Sequence, residues 1–198
     1  MKKIVLLFLI FCTGCQLLPD SGILNSLFPF AAGFDAGEKC PYLCWLGINP
    51  GVTTEVQAKA ILAASSQIRP IPLPPTDKLL MRWGPQNFND VDHVVEIYFE
   101  KGLVKTINFT GVPYKLGDFV KLMGQPDKIR ISVVRSRFDA AYLVFYSSRR
   151  VMIDVTDSTG LEPEDSVGSL YLNSDFDKIP PSIWGPDQPW PGYGDLKN

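Results

Sequence analysis

Leu116, Phe119, Val120 and Met123 fall at i, i+3, i+4 and i+7, the spacing of a single helix face. Gly124 follows where a left-handed cap ends a helix, and Pro126 blocks its continuation. Three β-rich runs come next, over 128–134, 140–146 and 151–155, and a last one over 167–172. The same order occurs upstream. Thr54-Glu55-Val56-Gln57 fits a capping box, with Gln57 able to reach back to the Thr54 amide. Val56, Ala60, Ala63 and Ala64, widened by Ile61 and Leu62, are expected to form the apolar face of that helix. Strands are expected over 79–83, 93–100 and 103–109, the last two joined by a Lys101-Gly102 hairpin turn. Residues 68–77 hold four prolines and suit neither a central strand nor a helix interior. Helix then antiparallel meander, twice, predicts an α+β fold: two modules, 40–110 and 111–174, forming a sheet with both helices on one face. Ile129, Ile131 and Val133, then Ala141, Leu143 and Phe145, then Val151 and Ile153 are the expected inward residues.

The N-terminus carries a different kind of information. Lys2 and Lys3 precede an unbroken apolar run over 4–12, then the small Thr13 and Gly14, then Cys15. A basic start, a short apolar stretch and a small-residue cleavage site describe a secretory signal over 1–14, too short to span a bilayer as a helix. A cysteine directly after Gly14 resembles the lipobox of bacterial lipoproteins. The resemblance implies that Cys15 receives a diacylglyceryl group and becomes the new N-terminus, outside the cytoplasm. Gln16 rather than Asp follows it, which by the same resemblance implies outward sorting in a cell with two membranes. Without Lys2 and Lys3 the chain carries 17 basic against 21 acidic side chains, a net −4. That sign disfavours nucleic acid, whose binding needs clustered cations. No polybasic run follows Cys15, so acyl chains, at about 0.8 kcal/mol per buried methylene, would hold the protein on the membrane. Residues 15–39 read as a tether, punctuated by Pro19, Gly22, Gly33 and Gly37 but carrying Ile23, Leu27, Phe28 and Phe34.

Cys40 and Cys44 remain once Cys12 leaves with the signal and Cys15 takes lipid. In an exported protein a leftover pair reads first as a disulfide. If Pro41 begins a helical turn, the two α-carbons lie about 6 Å apart, within disulfide range. A metal site or free thiols are the alternatives, with only two thiols at three-residue spacing and no nearby histidine to support a metal.

Ile48-Asn49-Pro50-Gly51 to Thr53 leading into a helix, and Leu116-Gly117-Asp118 through Gly124-Gln125-Pro126 into strands, resemble the helix-plus-meander module of small bacterial envelope lipoproteins. The BamE (SmpA/OmlA) type has one such module and the β-lactamase-inhibitor-protein type has two. Cys40 to Trp45 also resembles a Cys-x-x-x-Cys-Trp segment found before the first helix of extracytoplasmic lipoproteins. The likeness spans 40–172 and implies a fold, an envelope location and a non-enzymatic role. The first helix departs from it in lacking a Gly-x-Pro ending.

No catalytic motif stands out, and no cofactor or metal is expected. His93, the lone histidine, lies between Asp92 and Val94 with no serine in a nucleophile elbow, so it reads as a polar strand start. Asp154, Asp157, Glu162, Glu164 and Asp165 form the densest acidic cluster. Oxygen ligands there suit calcium, but their spacing is not that of an EF-hand loop, and a solvated loop is the plainer reading. Arg130, Arg135, Arg137, Arg149 and Arg150 are read as outward charges that guard strand edges, with an acidic partner as the competing reading.

The tail, 175–198, is rich in Pro, Trp and Gly and favours an extended conformation. Trp184 is expected to pack back on the sheet, while Trp190 and Tyr193 are open to burial or to a protein or glycan partner. Tyr98, Tyr142 and Tyr146, if exposed together, would mark a partner surface on the sheet. The whole reads as a lipid-anchored binding or scaffolding module of the envelope. An inhibitor covering a hydrolase site is one rival, and an envelope hydrolase using the acidic loop is another.

Overall fold

The computed structural model describes residues 34–35, 40, 42–66, 68–71, 80–85, 94–112, 114–132, 140–157, 160–175 and 185–194. The leader, Cys15, most of the tether, His93, Val133, Arg135, Arg137 and Trp184 lie outside them. In chain order the elements are β1 (Phe34–Asp35), β2 (Cys44–Trp45), α1 (Glu55–Ala64), β3 (Ile68–Ile71), β4 (Leu80–Pro85), β5 (Val94–Glu100) and β6 (Leu103–Thr110). Then come α2 (Leu116–Met123), β7 (Lys128–Ile131), β8 (Ala140–Tyr146), a 3-10 turn (Ser147–Arg149), β9 (Val151–Asp157), β10 (Val167–Asn173) and β11 (Gln188–Pro189). The fold is α+β.

Strands β3 to β11 form one antiparallel sheet in the order β11-β7-β8-β9-β10-β6-β5-β4-β3, and β1 pairs with β2 apart from it. Two runs of sequential strands therefore meet where β10 pairs with β6, Leu170 opposite Phe109. Proline-bearing strands lie at both edges: Pro70 in β3 and Pro189 in β11. Proline cannot donate to a ladder, so an outermost strand is where it fits, and it blunts the edge against further pairing. An edge is the place in the sheet that this chemistry leaves open to the Pro70-bearing 68–71 segment.

One face of the sheet carries Ile97, Ile107, Ile129, Val144, Ile153 and Leu170, which share a single core with residues of both helices. α1 starts as its sequence dictates: the Thr54 hydroxyl accepts from the Gln57 amide, and Gln57 accepts the Thr54 N–H at 2.9 Å. Its buried face differs from expectation. Ala58 and Leu62 are buried and Ile61 packs beside them, whereas Val56 is 77% exposed and Ala60, Ala63 and Ala64 face outward. Alanines gain little from burial, so the large Ile61 and Leu62 set the rotation of the helix. In α2 Leu116, Phe119 and Leu122 are buried, with Val120 and Met123 packed against the core. Gly124 ends it at φ +83°.

Strand β8 has the opposite phase to that expected. Tyr142, Val144 and Tyr146 enter the main core, and Leu143 and Phe145 point to the other face, where they cluster with Met152. The run Ala-Ala-Tyr-Leu-Val-Phe-Tyr is apolar at every position, so alternation could not choose a face. The register chooses it: Val144 stands opposite Ile129 on one side and Ile153 on the other.

Candidate functional site

Four chain segments converge at one corner of the sheet. Leu46 (φ 52°) and Gly47 (φ 76°) make a tight turn that returns Ile48 onto Trp45. Trp45 itself is buried, edge-on to Phe109 at 5.3 Å. Cys40 and Cys44 are joined by a disulfide with α-carbons 5.8 Å apart, and Tyr42 lies inside that short ring. After it, Asn49 to Thr53 folds into a turn in which the Val52 and Thr53 amides donate to the Asn49 carbonyl and the Asn49 amide donates to Thr53 Oγ1. This turn is strapped to β6 by Gly51 N–H to Val104 O (2.7 Å) and Val104 N–H to Thr53 O (2.9 Å). Gly51 is required there: its φ is +84°, and a Cβ would come within 2.9 Å of Ser174 Cβ.

Two further turns complete the corner. Lys101 (φ 53°) and Gly102 (φ 78°) form the two-residue hairpin turn between β5 and β6, and the Glu55 amide of α1 donates to Gly102 O. Arg150, also left-handed at φ 55°, links the 3-10 turn to β9 and sets its guanidinium 3.7 Å from the centre of the Tyr42 ring. Between these segments lies an open cleft of about 340 Å³, lined among others by Val52, Lys101, Lys105, Arg150 and Asp175. Lys105 is bonded to Asp175 and, at 2.9 Å, to Glu100. The Asp175 bond raises the Lys105 pKa, and the Lys105 bond lowers that of Glu100. Arg150 meets no carboxylate among the described residues; its planar donors stack on tyrosine and keep their edges available for an anion. Arg150 belongs to the arginine set expected to guard strand edges, but nothing in the sequence pairs it with a tyrosine 108 positions earlier.

The aromatic residues singled out from the sequence separate. Tyr98 is 39% exposed on the sheet face away from the main core. Tyr142 and Tyr146 are buried in that core, so the three do not make one exposed surface. Tyr146 instead lies near the tail. Burial first, with Tyr193 beside it, pushes its phenol pKa well up, and its hydroxyl has no partner among the described residues. Trp190 packs on the core and meets Tyr193 edge-on at 5.8 Å, while Tyr193 stays 39% exposed. The tail is held by β11 and by Asp187, which takes Arg130 Nε at 2.5 Å and Lys128 Nζ at 2.7 Å. Burial alone would raise the Asp187 pKa; the bonds from Arg130 and Lys128 outweigh it and hold it low. Arg130 is therefore a buried tail clamp rather than an outward edge guard.

The acidic stretch has a structural job. The Leu116 amide donates to Asp165 O and the Gly117 amide to Pro163 O, so this loop caps the start of α2. Asp165 Oδ2 accepts the Glu162 amide within the loop. Asp154 lies apart, on the second sheet face opposite Ser169 and Leu143, where burial raises its pKa. Among the described residues no group of three or more His, Cys, Asp or Glu is placed to hold a metal ion. No protein family, curated protein or solved structure matches the chain.

Proposed function

We propose that this chain is a lipid-anchored extracytoplasmic lipoprotein whose folded domain serves as a non-enzymatic binding or scaffolding module of the cell envelope. The observation that carries the proposal is the order of residues 2–15: two lysines, an apolar run, two small residues, then Cys15. The Cys40–Cys44 bridge supports it, because such bonds persist in oxidising compartments outside the cytoplasm. Consecutive pairing of β3 to β6 and of β7 to β10 supports reading the sheet as two helix-plus-meander modules. Tyr98, Tyr193 and the partly buried Trp190 are the aromatic groups we assign to a protein or glycan partner. A hydrolase built on the acidic loop gains less support, since Asp154 stands on the second sheet face opposite Ser169 and Leu143, apart from the Pro163–Asp165 loop seated on α2. The test is fractionation of cells expressing wild type and Cys15→Ala. The wild type belongs in the membrane pellet and the variant in the soluble extracytoplasmic fraction; identical partitioning would defeat the anchor.

A further inference from the structure

The corner described above combines three features that other described parts of the surface do not share. Val52, 66% exposed, lines the cleft, and Val56, 77% exposed, stands on the first turn of α1, which the Glu55 bond to Gly102 ties to the Lys101 hairpin. They are the two most exposed large apolar side chains among the described residues. Beside them Lys101 and Arg150 form no salt bridge among those residues, while Glu100 and Asp175 are both engaged by Lys105. Finally, the chain coming from Cys15 enters the domain here: Asp35 of β1 pairs with Cys44, the end of the ring that holds Tyr42 under Arg150.

We propose that this corner is a membrane-docking surface. It rests the domain against the bilayer that carries the anchor, with Val52 and Val56 at the interface and Arg150, flanked by Lys101, on the phosphate of an anionic lipid headgroup. The inference rests on the lipid-anchor reading above. Guanidinium recognises phosphate through two parallel hydrogen bonds, and stacking on Tyr42 fixes its plane without consuming those donors. Exposed apolar residues beside cations are the composition of an interfacial contact. Two or three cations partly offset by carboxylates make a weak site on their own. Anchoring changes that, because the 19 residue steps from Cys15 to Phe34 reach at most about 68 Å even when fully extended, which keeps the corner at high effective concentration over the headgroups. Docking then fixes which face the domain turns to a partner. The sheet end bearing Val155 and Val167 points away from the bilayer.

The test uses the lipidated protein, methyl-labelled at valine, in phosphatidylcholine nanodiscs with and without phosphatidylglycerol, doped with a gadolinium-chelate lipid. Strand β10 runs about 20 Å over seven residues, and paramagnetic broadening falls with the sixth power of distance, so Val52 and Val56 should broaden more than about tenfold over Val155 and Val167. The contrast should collapse without phosphatidylglycerol and in Lys101→Ala/Arg150→Asn, where Asn tolerates the left-handed backbone. Unchanged methyl shifts in the core would show that the variant is folded. Acylated protein with equal broadening at both ends overturns docking while leaving the anchor standing; protein recovered without acyl groups fails the anchor instead. Valine shifts caused by inorganic phosphate in solution, with no broadening in discs, would assign the site to a soluble phosphate and overturn the membrane proposal.

Discussion

Gly117 is the most informative position to substitute. It lies in the first turn of α2, where alanine would normally be favoured by up to about 1 kcal/mol on helix propensity. Here the added Cβ would meet Pro163 O at 2.9 Å and Pro163 Cβ at 3.0 Å. Both are closer than a side chain carbon tolerates, and one of them is backbone. The loop must retreat, which breaks or stretches the Gly117–Pro163 and Leu116–Asp165 bonds that cap the helix. Two hydrogen bonds at about 0.5–1.5 kcal/mol each outweigh the propensity gain, and the strain of displacing the loop adds to them. Gly117→Ala is therefore expected to destabilise by roughly 1–2 kcal/mol, a Tm decrease of about 2–8 °C for a domain of this size. Gly168→Ala is the internal control. Its Cβ would meet only Asp154 O at 3.8 Å, and its φ lies outside the left-handed region, so its stability should stay within about 0.5 kcal/mol of wild type. Urea unfolding followed by far-UV circular dichroism reads both. A Gly117→Ala variant as stable as wild type, with Gly168→Ala unchanged, would refute the close seating of the 161–166 loop on α2.

Asp154 supplies a pH test. Burial raises its folded pKa above the ordinary 3.8, so its ionisation costs stability at neutral pH and that cost vanishes once pH falls below the unfolded value. Asp154→Asn should raise Tm at pH 7 and leave it unchanged near pH 3; equal gains at both would show that the carboxylate charge is not the cause. Removing the bridge with Cys40→Ala/Cys44→Ala should cost about 2 kcal/mol on the chain-entropy view of a five-residue ring. It should also loosen Tyr42 from Arg150, read as weaker protection of Arg150 from a guanidine-modifying reagent; unaltered stability and protection would mean the ring is incidental.

Legibility from sequence followed how local the determining interaction is. The Thr54–Gln57 box, the Gly124 stop and the Lys101-Gly102 turn each depend on residues within four positions, and each is in place. The rotation of α1 was harder, because a stripe of alanines competes on paper with Ile61 and Leu62, and only burial area separates them. For β8 the alternation signal was absent altogether, since Leu143 and Phe145 are as apolar as Tyr142 and Val144 and both faces of that strand are covered. Prolines said what 68–77 could not be without saying that part of it would close the sheet edge. At the candidate site, the disulfide could be read from compartment and spacing, whereas Arg150 on Tyr42 joins residues brought together only by the docking of β2 beside the β8–β9 turn. Contacts of that separation leave no trace in a single sequence.

Mass spectrometry of the N-terminal peptide, isolated from membranes of expressing cells, tests the anchor most directly. It should begin at Cys15 and carry a diacylglyceryl group on sulfur. A peptide that begins at Met1, or an unmodified Cys15 in protein recovered from the cytoplasm, would contradict the assignment.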